Sequence, residues 1–258
     1  MGVCLNKLLF VLLLFVGHST HADDTDYSIS FNELAKKACA SSSSRTIRVG
    51  KGDFHFKTPL DPFPCALNII GDGIGSTVFI REFQGGAFLH WKRGTDHSGG
   101  SIKDLTLLAG KDTNAGIAVY VQAEKDTNNQ VNSYNRHTFT ISGLLIGREV
   151  AANTSWDHGI YLDGSLNPDN NEGIAPGIRM TQIVSTTISG TRVSQIYLNK
   201  VRGINLLNVD CFIPLNNSFN GVMLDNVSQG VKLDTRSCDW RFQDAQSIWM
   251  VYNGVRFR

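Results

Sequence analysis

The chain has almost no excess of charge of either sign. Its 258 residues carry 24 lysines and arginines against 23 aspartates and glutamates, a formal net charge of +1. Nucleic-acid binding calls for a basic patch or stripe, and the sequence has none. The seven histidines are scattered without the spacing of metal ligands. The sequence therefore predicts neither a nucleic-acid partner nor a metal site.

Long apolar segments are also missing. The main apolar run, residues 8–16, is about half the length that a membrane span needs. Lys7 precedes this run, and Thr20-His21-Ala22 follows it as a small-x-small cleavage pattern. Residues 1–22 are therefore predicted to be a signal peptide, with an uncleaved anchor as the alternative. The mature chain is predicted to be secreted or periplasmic, without a membrane span.

Cysteine is scarce as well, with five in the whole chain. Cleavage after residue 22 removes Cys4 and leaves an even number, which favours disulfides in an exported protein. Four cysteines allow three pairings, and proximity in sequence favours Cys39 with Cys65 and Cys211 with Cys238. Buried free thiols are the alternative, because a buried cysteine packs as a small apolar residue.

Helical periodicity is confined to the start of the mature chain. Ser30 and Glu33 fit a capping box. The apolar residues that follow lie at helical spacing: Phe31, Leu34, Ala35 and Ala38. After residue 40 the sequence shows only short alternating strands, separated by turns rich in glycine and asparagine. We therefore predict one all-β domain over residues 23–258, with a short helix at 30–40.

The strands repeat with a period in the mid-twenties. Ile196, Val222 and Ile248 are 26 residues apart, and Gly203 and Gly230 are 27 apart. A period of this length, built from short strands, is one coil of a β-solenoid, whose apolar edges only the next coil can bury. We predict a right-handed parallel β-helix, with the three apolar residues in one inward column and the helix as an end cap. An antiparallel sandwich or a propeller is the alternative, but a sandwich does not explain the repeat.

The repeat also brings two cysteines together. Cys211 and Cys238 each follow an equivalent glycine by eight residues, so they occupy the same place on consecutive coils. Stacked strands are about 4.8 Å apart, which lies within the range of Cα separations in disulfides.

Three segments resemble the pectate-lyase-like superfamily. Residues 46–56 are similar to the family's opening strand, turn and strand. Residues 68–78 (NIIGDGIGSTV) are similar to its I-x-G-x-G-x-x-S/T-x-I pattern, and residues 100–107 resemble its next rung. The likeness is greatest to the branch found in phage tail spikes and exported bacterial proteins that act on polysaccharides. It implies the β-helix fold and a polysaccharide partner, and the solenoid also allows a homotrimer.

Enzymes of this fold cleave glycans by two routes, and the sequence offers candidates for one. Hydrolases use two carboxylates, and Asp157 and Asp163 flank one predicted strand in the most polar stretch of the chain. We predict these two as the catalytic pair, with His158 orienting them and Trp156 stacking on a sugar ring. The other candidates for substrate binding are Asp169, Glu172, Trp91 and Arg93. The alternative is that the acids are ordinary turn residues.

The family's catalytic motifs are only partly present. Asp157-His158-Gly159 approaches the Gly-His-Gly of polygalacturonase-type hydrolases, but their Arg-x-Lys is absent. A lyase would use a lysine or arginine base and often Ca²⁺, and no calcium site can be matched residue by residue. The sequence therefore predicts no cofactor other than the Ca²⁺ that a lyase would need.

The functional prediction is an exported protein that binds a polysaccharide, and whether it also cleaves one is left open. A non-catalytic binding or adhesion module on the same scaffold is the first alternative. A protein-binding inhibitor is the second.

Overall fold

The computed structural model describes eleven stretches of the chain. They are residues 25–41, 45–93, 99–123, 139–149, 154–164, 178–179, 181–212, 221–225, 231–243, 250–252 and 255–257. The predicted signal peptide and Ile248 lie outside them.

The first element is a helix, α1 (Ser28–Ala40). It begins two residues before the predicted one, and the capping box does not form, since the Ser30 hydroxyl donates to the carbonyl of Tyr27 at 3.1 Å. The carboxylate of Asp26 caps the start instead, accepting from the backbone N–H of Ser28 at 2.9 Å. A side-chain oxygen just before the first turn satisfies an N–H that has no partner within the helix.

The helix packs over the first coil, as predicted for an end cap. Phe31 and Ala35 are buried, and Leu34 and Ala38 pack against the same core. The Phe31 ring meets the rings of Phe56 and Phe79 edge-on, with both pairs of centroids 5.6 Å apart. These rings supply the apolar surface that the first coil would otherwise expose.

Nineteen short strands follow in the described residues. They are β1 (Thr46–Arg48), β2 (Gly52–Phe56), β3 (Asn68–Ile70), β4 (Thr77–Arg81), β5 (Ala87–Arg93), β6 (Ser101–Ala109), β7 (Ile117–Ala123), β8 (Thr140–Arg148), β9 (Trp156–Asp163), β10 (Ile178–Arg179), β11 (Gln182–Ile188), β12 (Thr191–Asn199), β13 (Val201–Arg202), β14 (Asn205–Cys211), β15 (Gly221–Asp225), β16 (Val231–Arg236), β17 (Asp239–Gln243), β18 (Met250–Tyr252) and β19 (Val255–Phe257).

The strands form two long sheets and one short pair. Sheet A runs β1-β3-β6-β8-β11-β14-β16-β18-β19, with β2 and β4 beside this path, and sheet B runs β5-β7-β9-β12-β15-β17. In the described residues every pairing between named strands is parallel except the last, β18 with β19. Each strand's neighbours come from the coil before and the coil after, so the predicted parallel β-helix is confirmed.

The predicted inward column is only partly right. Ile196 pairs with Val222 and both are fully buried, as the 26-residue period requires. The next strand of sheet B is β17, however, which places Trp240 opposite Val222. β17 thus takes the place that the 26-residue period assigns to the strand of Ile248, and Ile248 itself lies outside the described residues.

Several strands of sheet A bend at a residue with positive φ. Asp104, Gly143, Ser185 and Asn208 have φ of 56°, 60°, 48° and 53°. The flanking pairs, such as Leu105 with Leu144, place these residues at the same level of successive coils. A left-handed residue re-aims a strand locally, so the column marks a corner of the solenoid.

Both predicted disulfides form. Cys39 bonds to Cys65 and ties the end of α1 to the first coil. Cys211 bonds to Cys238 with 4.9 Å between their Cα atoms, close to the expected strand spacing.

Candidate functional site

A row of ring side chains crosses the outer face of sheet B. His90, Tyr120, Tyr161 and Tyr197 are opposite one another on β5, β7, β9 and β12. Successive ring centroids lie 4.4, 5.0 and 4.7 Å apart. We call these four residues the ring ladder. Side chains alternate along a strand, so the residues next to the ladder, such as Ile160 and Ile196, point into the core.

The stacking decides which part of each ring is available to a ligand. Each face within the ladder lies against the neighbouring ring, and the two outer pairs are stacked within 26° of parallel. Ring edges and polar atoms therefore face outward. Such a surface is partly apolar and partly hydrogen-bonding, in the way that aromatic side chains with a polar end are at interfaces.

A second row of polar residues fixes the ladder. The Tyr120 hydroxyl donates to Asp163 Oδ2 at 3.0 Å, and Asn199 Nδ2 donates to Asp163 Oδ1 at 3.1 Å. The Tyr197 hydroxyl donates to Asp225 Oδ2 at 2.9 Å. Burial, together with the nearby carboxylates, raises the pKa of Tyr120 and of Tyr197 above the usual range. Both phenols therefore remain protonated and act as donors at neutral pH.

The start of β9 carries a second polar cluster. Asp157 Oδ2 accepts from the backbone N–H of Gly116 at 2.7 Å. Asp157 Oδ1 accepts from Arg192 Nε at 3.0 Å and from its Nη2 at 2.5 Å. Both carboxylate oxygens thus hold the turn before β7 and the start of β12 in place.

His158 lies beside this pair and beside the ladder. Its Nδ1 is 2.8 Å from Ser194 Oγ, and its ring centroid is 5.5 Å from that of Tyr161. Burial lowers the pKa of His158 to about 4, against an opposing attraction from Asp157. The imidazole is therefore uncharged at neutral pH.

An open cavity of about 730 Å³ lies between the ring ladder and the cluster of Asp157 and His158. This volume is within the range of small-molecule binding sites. Its described lining consists of Gly85, Gly86, Ala87, His90, Ala115, Gly116, Ile117, Tyr120, Asp157, His158, Tyr161 and Val193. The cavity is thus bounded by ladder rings on one side and by glycine-rich turns and the Asp157 cluster on the other.

The turn at Gly116 can only be made by glycine. Its φ is +96°, and a Cβ there would collide with the Arg81 side chain and lie 2.5 Å from the carbonyl oxygen of Gly86. The absence of a side chain lets the Gly85–Gly86 turn and the Arg81 side chain approach Gly116 closely.

A buried arginine lies beside this turn. Arg81 is fully buried, and its guanidinium carbon is 4.1 Å from the centroid of the Trp156 ring. Its Nη2 donates to the carbonyl of Ser155 at 3.4 Å, while Nε and Nη1 have no hydrogen-bond partner among the described residues. Burial lowers the pKa of Arg81 to about 10, and the attraction of Asp157 opposes this effect.

The two tryptophans predicted to bind a sugar are core residues, so that prediction is wrong. Trp156 is 0% exposed and Trp91 is 1% exposed. Their indole N–H groups donate inside the protein, to the carbonyls of Gly147 at 2.6 Å and Leu67 at 3.0 Å. Both rings point inward because each tryptophan occupies an inward position of its strand. The polar residues around them in sequence do not show which positions face inward.

Asp157 and Asp163 are too far apart to act on one glycosidic bond. They lie at opposite ends of β9, and six residues of extended strand span about 20 Å. Glycosidase carboxylates lie about 5–10 Å apart. Asp163 is also only 6% exposed. The predicted catalytic pair is therefore not formed, although His158 and Asp157 do border the cavity.

The remaining candidates for substrate binding stay predictions. Arg93 ends β5, where its backbone is opposite Ala123. Asp169 and Glu172 lie outside the described residues. Among the described residues, no group of three or more histidine, cysteine or acidic side chains converges as a metal site would need.

Sequence reasoning missed the tyrosines of the ring ladder. Tyr120, Tyr161 and Tyr197 each lie between two aliphatic residues, in Val-Tyr-Val, Ile-Tyr-Leu and Ile-Tyr-Leu. Apolar residues on both sides of a tyrosine mark an outward ring on a strand whose other face is core. Three such triplets in a repeat protein were the available signal.

No family model matches the chain, and no curated protein matches it. Among solved structures, ORF18 of Geobacillus virus E2 is similar to it with 10% identity and a TM-score of 0.29. The match covers 89% of this chain and 58% of ORF18, so the chain spans less than two thirds of that protein. A TM-score this low carries no argument, and the resemblance to the pectate-lyase-like superfamily stays a prediction.

One finding concerns the membrane. Among the described residues, no helix has both the length and the apolar character needed to cross a bilayer.

Proposed function

We propose that this chain is an exported polysaccharide-binding protein that holds a segment of glycan in the cavity beside the ring ladder. The observation that carries the proposal is the cavity itself, about 730 Å³ in volume and lined by His90, Tyr120, Tyr161 and His158. Sugars combine C–H patches with hydroxyl groups, and ring edges next to polar atoms complement both. The sequence resemblance to a superfamily of polysaccharide-acting proteins supports the same ligand class.

Export is supported by the two disulfides. Bonds such as Cys39–Cys65 and Cys211–Cys238 persist in oxidising compartments and are rare in the cytosol. The predicted signal peptide at residues 1–22 agrees with this, and a homotrimer through the solenoid stays a prediction.

We propose binding without cleavage. The two acids predicted to act as a pair are about 20 Å apart along β9, and Asp157 has both oxygens engaged by Gly116 and Arg192. No other carboxylate belongs to the described lining of the cavity. Glycoside hydrolysis needs both an acid and a second carboxylate at the same bond.

Affinity gel electrophoresis tests the proposal. The purified protein is run through native gels containing galactomannan, hydroxyethylcellulose, methyl-esterified pectin, polygalacturonate or alginate. We expect at least one polymer to retard it, without release of reducing ends or unsaturated products. Tyr161→Ala should weaken that retardation by about tenfold, equivalent to about 1.4 kcal/mol.

Phe212→Ala is the matched control. Phe212 is an exposed aromatic residue that follows β14 of sheet A, and it belongs neither to the ring ladder nor to the described lining of the cavity. We expect this variant to bind as the unaltered protein does. Absence of retardation by all five polymers, or equal losses in the two variants, would refute binding in this cavity.

A further inference from the structure

The polar groups of the cavity are almost all engaged within the protein. His90 Nε2 is 3.2 Å from Gln122 Oε1, and the Tyr120 hydroxyl donates to Asp163. Asp157 accepts through both oxygens. In His158, Nδ1 contacts Ser194 while Nε2 has no hydrogen-bond partner in the described part of the chain, and the same holds for Nδ1 of His90.

The described lining of the cavity carries no positive charge. Its described lining contains one ionised group, Asp157, and neither lysine nor arginine. Three cations lie near this lining without belonging to it. Arg192 pairs with Asp157, Arg81 is fully buried against Trp156, and Lys92 follows His90 by two residues on β5. An anionic sugar placed here would lose hydration next to a carboxylate, and no cation of the described lining would pair with it.

We infer that the ligand is an uncharged polysaccharide and that His158 Nε2 makes the hydrogen bond that recognises its hydroxyl groups, an inference that rests on the proposed function. The Asp157–Arg192 pair is neutral as a unit, and the ring ladder is uncharged. Two imidazole nitrogens of the lining are unpaired in the described part of the protein, Nε2 of His158 and Nδ1 of His90. We assign recognition to His158 because it lies beside both the ring ladder and Asp157, whereas His90 is at the end of the ladder.

A neutral imidazole suits a hydroxyl group in either tautomer. If Nδ1 donates to Ser194, Nε2 accepts from a sugar hydroxyl; if Ser194 donates, Nε2 carries the proton and donates. A hydroxyl group satisfies both arrangements, whereas a carboxylate satisfies only the second. The depressed pKa of about 4 keeps His158 in the uncharged state above pH 5.

The test compares polymers that share a backbone and differ in charge. The first pair is hydroxyethylcellulose and carboxymethylcellulose, and the second is methyl-esterified pectin and polygalacturonate. Affinity electrophoresis at pH 7 should show retardation by an uncharged member and at least about tenfold weaker retardation by its charged counterpart. His158→Ala should lose about tenfold in affinity, the equivalent of one hydrogen bond of about 1.4 kcal/mol.

Two further variants separate recognition from folding. His158→Gln retains a polar group near the position of Nε2 and should recover most of the affinity. Ser194→Ala removes the partner of Nδ1 and should weaken binding less than His158→Ala. The thermal midpoint of each variant, measured on the same samples, shows whether it is folded.

The outcomes are distinct. Stronger binding to the charged member of either pair refutes the uncharged ligand and leaves the proposed function intact. Unchanged affinity in folded His158→Ala refutes the role of His158. Absence of binding to all four polymers refutes this inference and counts against the proposed function.

Discussion

Replacing the buried arginine by an apolar residue should stabilise the protein. Arg81 is fully buried, and two of its three guanidinium nitrogens have no partner among the described residues. Burial lowers the pKa of Arg81 from 12.5 to about 10, which corresponds to a cost of about 3 kcal/mol for the charged form. The contact of its guanidinium with the Trp156 ring, at 4.1 Å, stabilises the charged form by about 2 kcal/mol. The charged side chain thus costs the fold about 1 kcal/mol.

Arg81→Met keeps most of the volume and removes the charge. A buried methionine contributes at least about 1.5 kcal/mol of apolar burial and can place its sulfur against the same indole ring. We expect the free energy of unfolding to rise by about 2 kcal/mol, and the thermal midpoint by about 4–8 °C. Urea titration at pH 7, with both disulfides intact, measures the change.

Two controls accompany this variant. Arg81→Ala leaves a cavity under Trp156 and should be about 3 kcal/mol less stable than Arg81→Met. Arg48→Met alters an exposed arginine at the end of β1 and should change stability by less than about 0.5 kcal/mol. A loss of more than about 1 kcal/mol in Arg81→Met would refute the reasoning, because it would mean that the guanidinium is well paired in the folded protein.

The remaining predictions concern a crosslink, a turn and a titration. Replacing Cys211 and Cys238 by serine should lower the free energy of unfolding by about 3.5 kcal/mol, because the disulfide closes a loop of 27 residues. Urea titration measures this change. Alkylation of both thiols in the native protein would contradict the disulfide. Gly116→Ala should lower the free energy of unfolding by about 2 kcal/mol more than Gly75→Ala. Both glycines have positive φ, but only at Gly116 would the added Cβ meet backbone and side-chain atoms. Equal losses of stability in thermal melting would argue against this close approach. The free energy of unfolding should fall as the pH drops from 6.5 to 4, because unfolded histidine binds a proton near pH 6.5 whereas folded His158 binds one near pH 4. In His158→Gln, part of this dependence of the free energy of unfolding on pH should vanish. An unchanged dependence would show that His158 does not cause it.

The coil architecture was within reach of the sequence because a solenoid imposes the same inward positions on every turn. The 26-residue period that relates Ile196 to Val222 is the register of β12 with β15, and the 27-residue period is the register at the start of β14 and β16. The apolar face of α1 was equally predictable, since one side of a helix must cover the open end of the first coil. The exact start of α1 was not, because Asp26 lies before the predicted cap and competes with Ser30 for that role.

The distance between the two predicted acids was also within reach. Asp157 and Asp163 flank one strand, and strand rise alone separates them by about 20 Å. That rise is a property of any extended strand, so it excludes the two acids as a catalytic pair wherever the strand lies in the fold.

Only the tertiary structure decided which residues share a surface. His90, Tyr120, Tyr161 and Tyr197 are separated by connections of unequal length, so no period in the sequence aligns all four, yet parallel pairing places them opposite one another. The same pairing turns Trp156 into the core, although polar residues surround it in sequence. The repeat of apolar residues determines which strands stack, because every coil buries side chains at equivalent positions. The cavity depends instead on where each connection returns the chain, since a shift of one residue would turn a ladder ring from the outer face to the core.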